Sequence, residues 1–428
     1  MIHEIKFKNF LSFRDETTFS FEAANDEEQL FQTVKMPDGT NLLRFAIIFG
    51  ANASGKSNLL EVFQFLKTFW YKKPARIQEA TSVIPFMLDA TSQSKPTEFD
   101  LSFYVDGVRY RYWLSLNRKQ VLSEKLSYYL SVQPTMLFSR VLNNEQSIIT
   151  FNEKVVKLSS VVKEKISVEC WPNMSFFAAR SQVNTAMPII DKAMNWLYEN
   201  IMPCVYPSVN MSPFATKTLQ ENLEAKEYVL KFIKQADFNI TNIRTETIKQ
   251  DIPQELINIM LEDNSIPESE KSRLEKEHSI SSTNTFFEHT VITDNGVEKY
   301  NLPEGYQSAG TLKTFGIETA IYASITKGAL LSVDEIESSL HPDILEFVIQ
   351  EFLLKRGNSQ LLVTSHYDPL LSFVDDLIRK DAVWFTEKQK DGNTSLYSLV
   401  EFKGLNRLSS IRNAYLNGKF GALPIIHG

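Results

Sequence analysis

The sequence predicts an α/β protein built around a phosphate-binding loop, with an antiparallel β subdomain and a mainly helical insertion. An apolar strand, FAIIF, runs directly into GANASGKS at residues 50–57. The hydrophobic period then changes to two across residues 99–138, which marks antiparallel strands. Two further apolar strands, ALLSV and LLVTS, end in polar side chains, at Asp334-Glu335 and at His366.

The loop matches the G-x-x-x-x-G-K-[ST] pattern. Gly50 and Gly55 allow the backbone to fold tightly, so that successive N–H groups point inward at a phosphate, and the following helix adds the positive end of its dipole. Residues Gly50, Ala51, Asn52, Ala53, Ser54, Gly55, Lys56, Ser57 and Asn58 are therefore the expected nucleotide contacts. Lys56 is expected to meet the β and γ phosphates, and the Ser57 hydroxyl to ligate magnesium.

Composition sets the background. The 428 residues are enough for two or three cored units, and 43% hydrophobic with 23% charged residues is ordinary for a globular protein. No apolar run approaches the roughly 18 residues of a membrane span, and MIHEIKFKNF carries charge where a secretion signal needs an apolar core. The expected location is cytoplasmic, with no membrane partner. Cys170 and Cys204 stand far apart without Cys or His partners at metal-ligand spacing, which argues against a disulfide framework or a structural zinc. A net charge of −7 argues against a basic coat, while a local basic groove for nucleic acid stays open.

In chain order, residues 2–21 read as a pair of strands and residues 58–71 as a helix with its apolar face on a sheet. The Asp106-Gly107 pair marks a hairpin. Residues 148–156 read as a further strand, and residues 173–179 as a buried strand delivering Arg180, Ser181 and Gln182. Helical periodicity over 187–196, 219–236 and 252–261 is broken by prolines, and the charged run 268–278 reads as a solvated helix. Strand character returns at 286–292 and near Tyr300. The expected organisation is an N-terminal lobe over 1–184, a mainly helical insertion over 185–285 and a C-terminal lobe over 286–428.

The strand end at Asp334 and Glu335 supplies a carboxylate to hold magnesium and a second to deprotonate an attacking water. Ser308 opens a helix whose free N–H groups form an anion site, with a plain N-cap as the bland alternative. His366, at the end of a neighbouring strand, is placed to sense a γ-phosphate. Near the C-terminus Lys403, Arg407, Arg412 and Lys419 lie among Leu405, Leu408, Ile411 and Tyr415, the pattern of an amphipathic helix with a solvated or nucleic-acid-facing side.

The order NFLSF, GANASGKSN, Gln182 after a β subdomain, SAGT, DEIESSLHP and TSH resembles the ABC-type ATPase heads of the SMC, RecF and OLD proteins. It is most similar to the short AAA-family ATPases of bacterial abortive-infection and phage-defence operons, the RloA-like group, and the ending AYLNGKFGALPII fits too. The resemblance implies ATP and Mg2+ as ligands, with Gln182 linking magnesium to the insertion. It gives Ser308 and Gly310 signature roles, with Ala309 in place of the first glycine of the usual pair. It implies two heads sandwiching ATP, the signature serine of one completing the site of the other, with Lys56, Glu335 and His366 in catalysis. A Toprim nuclease is not expected in the roughly sixty residues beyond His366, so a separately encoded effector, such as a nuclease, is the implied partner. A RecF-like DNA clamp and a nucleotide-binding scaffold with little turnover remain the alternatives.

Overall fold

The computed structural model describes residues 1–24, 30–144, 146–236, 239–263, 268–374 and 376–424. Asp375 and the final four residues of the C-terminal segment, which the sequence reading included, lie outside them. The chain divides into two compact units, Met1–Val209 with Ala323–Ser338 and Leu345–Gly428, and Asn210–Tyr322 with Ser339–Ile344. Residues 185–209 of the stretch read as an insertion thus go with the first unit, and residues 286–322 with the second.

Two sheets build the first unit. One has seven strands in a fully antiparallel ladder, from Gln146–Phe151 at one edge to Thr17–Ser20 at the other. Thr97–Val105 alternates buried and partly buried positions over its first six residues before a buried end, and with Val108–Leu116 it forms the hairpin across Asp106-Gly107. Alternation is what a sheet with one wet face requires.

The second sheet has five strands in the order Leu330–Val333, Gln360–Ser365, Phe45–Phe49, Val383–Lys388, Thr394–Ser398. The first four are parallel and the last antiparallel. Leu330–Val333, Gln360–Ser365 and Phe45–Phe49 are buried at every position, the pattern of a parallel sheet covered on both faces. Register pairs Val333 with Val363 and Val363 with Ile47. The carboxyl ends of the three strands are therefore level, and the loops that leave them open on one edge. The helix Lys56–Tyr71 follows the central strand and buries Leu59, Leu60, Phe63, Leu66 and Trp70.

A buried glutamine stitches the two sheets. The Gln360 amide accepts from Ile2 N at 2.6 Å and donates to Ile2 O and Leu43 O at 2.9 and 3.1 Å. Three bonds leave this fully buried amide without an orphan group of consequence.

The second unit packs Ser212–Glu221 and Leu223–Gln235 with a three-stranded antiparallel sheet, Ile240–Asp251, Ser279–Thr293 and Gly296–Pro303. Its core joins Ala215, Leu219, Val229, Ile233, Phe287 and Phe315. The strand Ile240–Asp251 stands within the stretch expected to be helical. Its twelve residues are mostly polar, and the strand exists because eleven of them pair with Ser279–Thr293.

Two expectations fail outright. Residues 173–179 do not form a strand: Phe176–Arg180 is a short helix, capped by Ser175 through its side chain to Phe177 N. A four-residue apolar run, FFAA, fits either period, and the serine decides for helix. The C-terminal basic stretch is not one amphipathic helix either. It is a 3-10 turn, Leu405–Arg407, and a six-residue helix, Ile411–Leu416, separated by an extended Ser410 that caps the second piece. Arg412, still partly exposed, pairs with Asp368 at 2.7 Å.

Candidate active site

The loop after Phe45–Phe49 is shaped by close approach. A Cβ at Gly50 would lie 2.5 Å from the backbone oxygen of Thr386 and 2.6 Å from Ser54 Oγ. Gly55 has φ 108°, and a Cβ there would meet Thr394 Oγ1 at 2.5 Å and Ser12 Oγ at 2.8 Å. Only glycine fits both positions. Ala53 adopts φ 59°, so the loop contains a second left-handed residue without that freedom.

A clamp of hydroxyls holds the loop from behind. Ser54 Oγ and Thr386 Oγ1 are 2.6 Å apart, while Thr394 Oγ1 lies 2.9 Å from Ser54 O and 2.8 Å from Ser12 Oγ. Asn58 Nδ2 donates to Ser12 Oγ at 2.8 Å. Thr386 is brought to the loop because Phe385 pairs with Phe49 in the sheet.

Lys56 is 6% exposed and folds back over the loop, donating to Gly50 O at 2.8 Å and Ala51 O at 3.1 Å. Burial pulls its ammonium below the usual lysine range, and Glu335, Glu337 and Asp334 oppose that shift. A buried cation under several carboxylates, bonded only to carbonyls, is suited to a polyanion entering the loop.

Next to the lysine, Ser57 Oγ donates to Asp334 at 2.8 and 3.0 Å to its two oxygens. Asp334 also accepts from Thr364 Oγ1 at 2.5 Å. The same Thr364 hydroxyl accepts from Glu335 N at 2.8 Å. Thr364 lies on the strand between the other two, so one hydroxyl sets both acidic residues. Glu335 has φ 46°, a conformation that costs a non-glycine residue about 1–2 kcal/mol. The Thr364 bond holds it there.

His366 follows the same middle strand. Its Nδ1 lies 2.8 Å from Glu337 Oε1, and its backbone N donates to that oxygen at 2.7 Å. The histidine side chain is 53% exposed and that of Glu337 only 9%.

The remaining expected residues belong to other elements. Gln182 sits just past a helix rather than a strand, with its amide donating to Ala178 O at 3.3 Å. Ser308 and Gly310 belong to the second unit, at the start of Ala309–Lys327. There Ser308 Oγ caps the helix by accepting from Thr311 N at 3.0 Å, and a Cβ on Gly310 would lie 2.8 Å from Ser339 O. The geometry thus joins Lys56, Ser57, Asp334 and Glu335, and sets His366 level with them on the central edge.

Sequence reasoning missed Thr364, Glu337, Ser12, Thr386 and Thr394. Thr364 and Glu337 stood within LLVTSH and DEIESSLHP, and Ser12 within NFLSF, whereas nothing local distinguishes Thr386 or Thr394. Both cysteines are free and buried, and burial pushes Cys170 up to about 11 and Cys204 up to about 12, away from nucleophilic use. Among the described residues no helix is long and apolar enough to cross a membrane.

The sequence profile of one protein family, described as AAA domain, putative AbiEii toxin, Type IV TA system, matches residues 45–155 and 211–372, more than half of the chain. No curated protein matches the sequence. Among solved structures, the SMC head domain from Thermotoga maritima aligns at 12% identity with a TM-score of 0.40, covering 93% of this chain and 98% of that one. An SMC head bound to the C-winged helix domain of ScpA aligns at 14% identity and a TM-score of 0.45, covering 94% and 99%.

Proposed function

The chain belongs to this family of AAA domains related to AbiEii, and from that membership we propose that it hydrolyses ATP as a nucleotide-gated dimeric switch controlling a separately encoded effector in anti-phage defence. As an AAA domain it is a nucleotide-binding ATPase head. The observation that supports hydrolysis best is the junction where Ser57, Thr364 and Asp334 meet beside Glu335.

The residues suit magnesium and ATP. Glycines without room for a Cβ leave the loop amides open to phosphate oxygens, and Lys56 supplies the compensating charge. Ser57 and Asp334 would hold the magnesium, which when bound neutralises charge on the β and γ phosphates. Thr364 fixes the Asp334 carboxylate and the Glu335 backbone together, so the Glu335 side chain starts from a fixed point when it accepts a proton from the attacking water. Ser308 and Gly310 would complete the site of a second copy, and Gln182 would link the magnesium to the inserted domain.

The test is Glu335→Gln. Hydrolysis should fall at least about 100-fold while ATP binding persists, and the protein with ATP and magnesium should elute as a dimer. Wild-type turnover together with a monomeric elution would sink the switch reading.

A further inference from the structure

We infer that Glu337 is a positioning residue that decides which nitrogen of His366 faces the terminal phosphate. The inference rests on the ATPase reading of the site and adds to it a residue outside the loop, the acidic pair and the histidine itself.

One carboxylate oxygen makes both contacts. Glu337 Oε1 accepts from the backbone N–H of His366 at 2.7 Å and lies 2.8 Å from its Nδ1. Two bonds to one residue, one from backbone and one from the ring, set both the ring's position and its rotation. With the Nδ1 proton committed to the carboxylate, Nε2 is the nitrogen left to face outward. A proton taken up by the ring can then sit only on Nε2, which makes that atom a donor to a phosphate oxygen.

The turn that carries Glu337 is itself held. Ile336 N donates to Thr364 O at 3.2 Å and Ser338 N to Glu335 O at 2.8 Å, with Ser339 at φ 65° closing the bend. Both hydrogen bonds tie the turn to the acidic pair and to the middle strand. A shift in Glu335 on hydrolysis would therefore reach His366 through two residues of turn.

Packing alone does not account for a carboxylate here. The Glu337 side chain is buried, its Oε2 has no hydrogen-bond partner, and among the described residues its ion pair is to His366. A buried carboxylate oxygen left unpaired is unfavourable for folding, so the contact with the histidine is what the burial secures. Its charge also reaches Lys56, whose ammonium it helps to keep protonated.

The experiment compares Glu337→Ala, Glu337→Gln and His366→Ala in the full chain. Glu337→Ala should lower kcat about 10- to 100-fold, the usual range for a group that orients another, with KM for ATP within about twofold. Glu337→Gln keeps an oxygen that can accept both bonds and should recover most of the rate. The Glu337→Ala, His366→Ala double variant should be no slower than His366→Ala alone. An unchanged kcat in Glu337→Ala, or multiplicative losses in the double variant, overturns the inference. A second reading does not depend on turnover. In 15N-histidine spectra of the nucleotide-free chain, His366 should show the Nδ1–H tautomer, and Glu337→Ala should lose it; the same tautomer in both overturns the inference. A wild-type protein that bound ATP without hydrolysing it would instead remove the ATPase reading, while the spectra still decided the role of Glu337.

Discussion

The phosphate loop and the Ser308 helix start are the two places where we propose that backbone amides meet phosphate, yet the chain builds them by opposite means. The loop is clamped by partners remote in sequence: Thr386 lies 332 residues from Ser54 and Thr394 lies 382 from Ser12. The Ser308 turn is held by its own third neighbour, Thr311, through two contacts at 2.8 and 3.0 Å. The loop's shape therefore depends on the folded sheet, while the helix start is set locally. A preorganised cradle suits binding within one copy. A locally finished turn suits docking against a second.

The hardest test of this contrast exchanges the glycines. Gly50→Ala places a Cβ against a backbone oxygen and two hydroxyls, all within 2.6 Å, and these atoms belong to the clamp. It should cost about 3 kcal/mol, the upper range for overpacking, and weaken ATP binding at least tenfold by calorimetry. Gly310→Ala meets Ser339 O at 2.8 Å and nothing else closer than 3.8 Å. Its melting temperature should stay nearer to wild type and its ATP affinity should hold. Equal losses in the two variants would erase the distinction.

A smaller effect comes from Thr364→Val, which keeps the side-chain shape and removes the hydroxyl. The Glu335 N–H then loses its acceptor and Asp334 loses a donor. A buried group left unpaired costs about 1–3 kcal/mol, read as a lower denaturation midpoint, and kcat should fall with it. Thr364→Ser should restore both. Full activity in Thr364→Val would mean that Ser57 alone sets Asp334.

How far the sequence foretold these features follows the same division. The loop, the acidic pair and the Ser308 turn are written in consecutive residues, so their patterns could be read directly. The sheet around them was readable wherever burial left a clear period, as in FAIIF and LLVTS. The hydroxyl clamp was not, because Ser12, Thr386 and Thr394 are unremarkable until the sheet brings them together. Local ambiguity produced the other errors. FFAA fits strand or helix, and Ser175 tips it to helix. The polar run of Ile240–Asp251 is a strand only because Ser279–Thr293 lies beside it. At the C-terminus, the apolar spacing suggested one helix, but Ser410 prefers to cap a new one.

Ser308→Ala should have the smallest effect in a single copy and the most informative one in a pair. Loss of the cap costs about 1 kcal/mol, and ATP binding to the loop should not change, because the described bonds of the serine are to Thr311 of its own helix. Hydrolysis should nevertheless fall, since the partner site lacks its serine. Lys56→Ala should fail for the opposite reason, losing ATP from its own loop. In a mixed dimer, the intact loop of the Ser308→Ala copy faces the intact serine of the Lys56→Ala copy. In a two-fold dimer this rebuilds one of the two sites. With random mixing, half the dimers are mixed, so an equal mixture of the two variants should recover about a quarter of wild-type turnover. Recovery no better than the mean of the separate variants would place Ser308 outside the composite site and return it to the role of a helix cap.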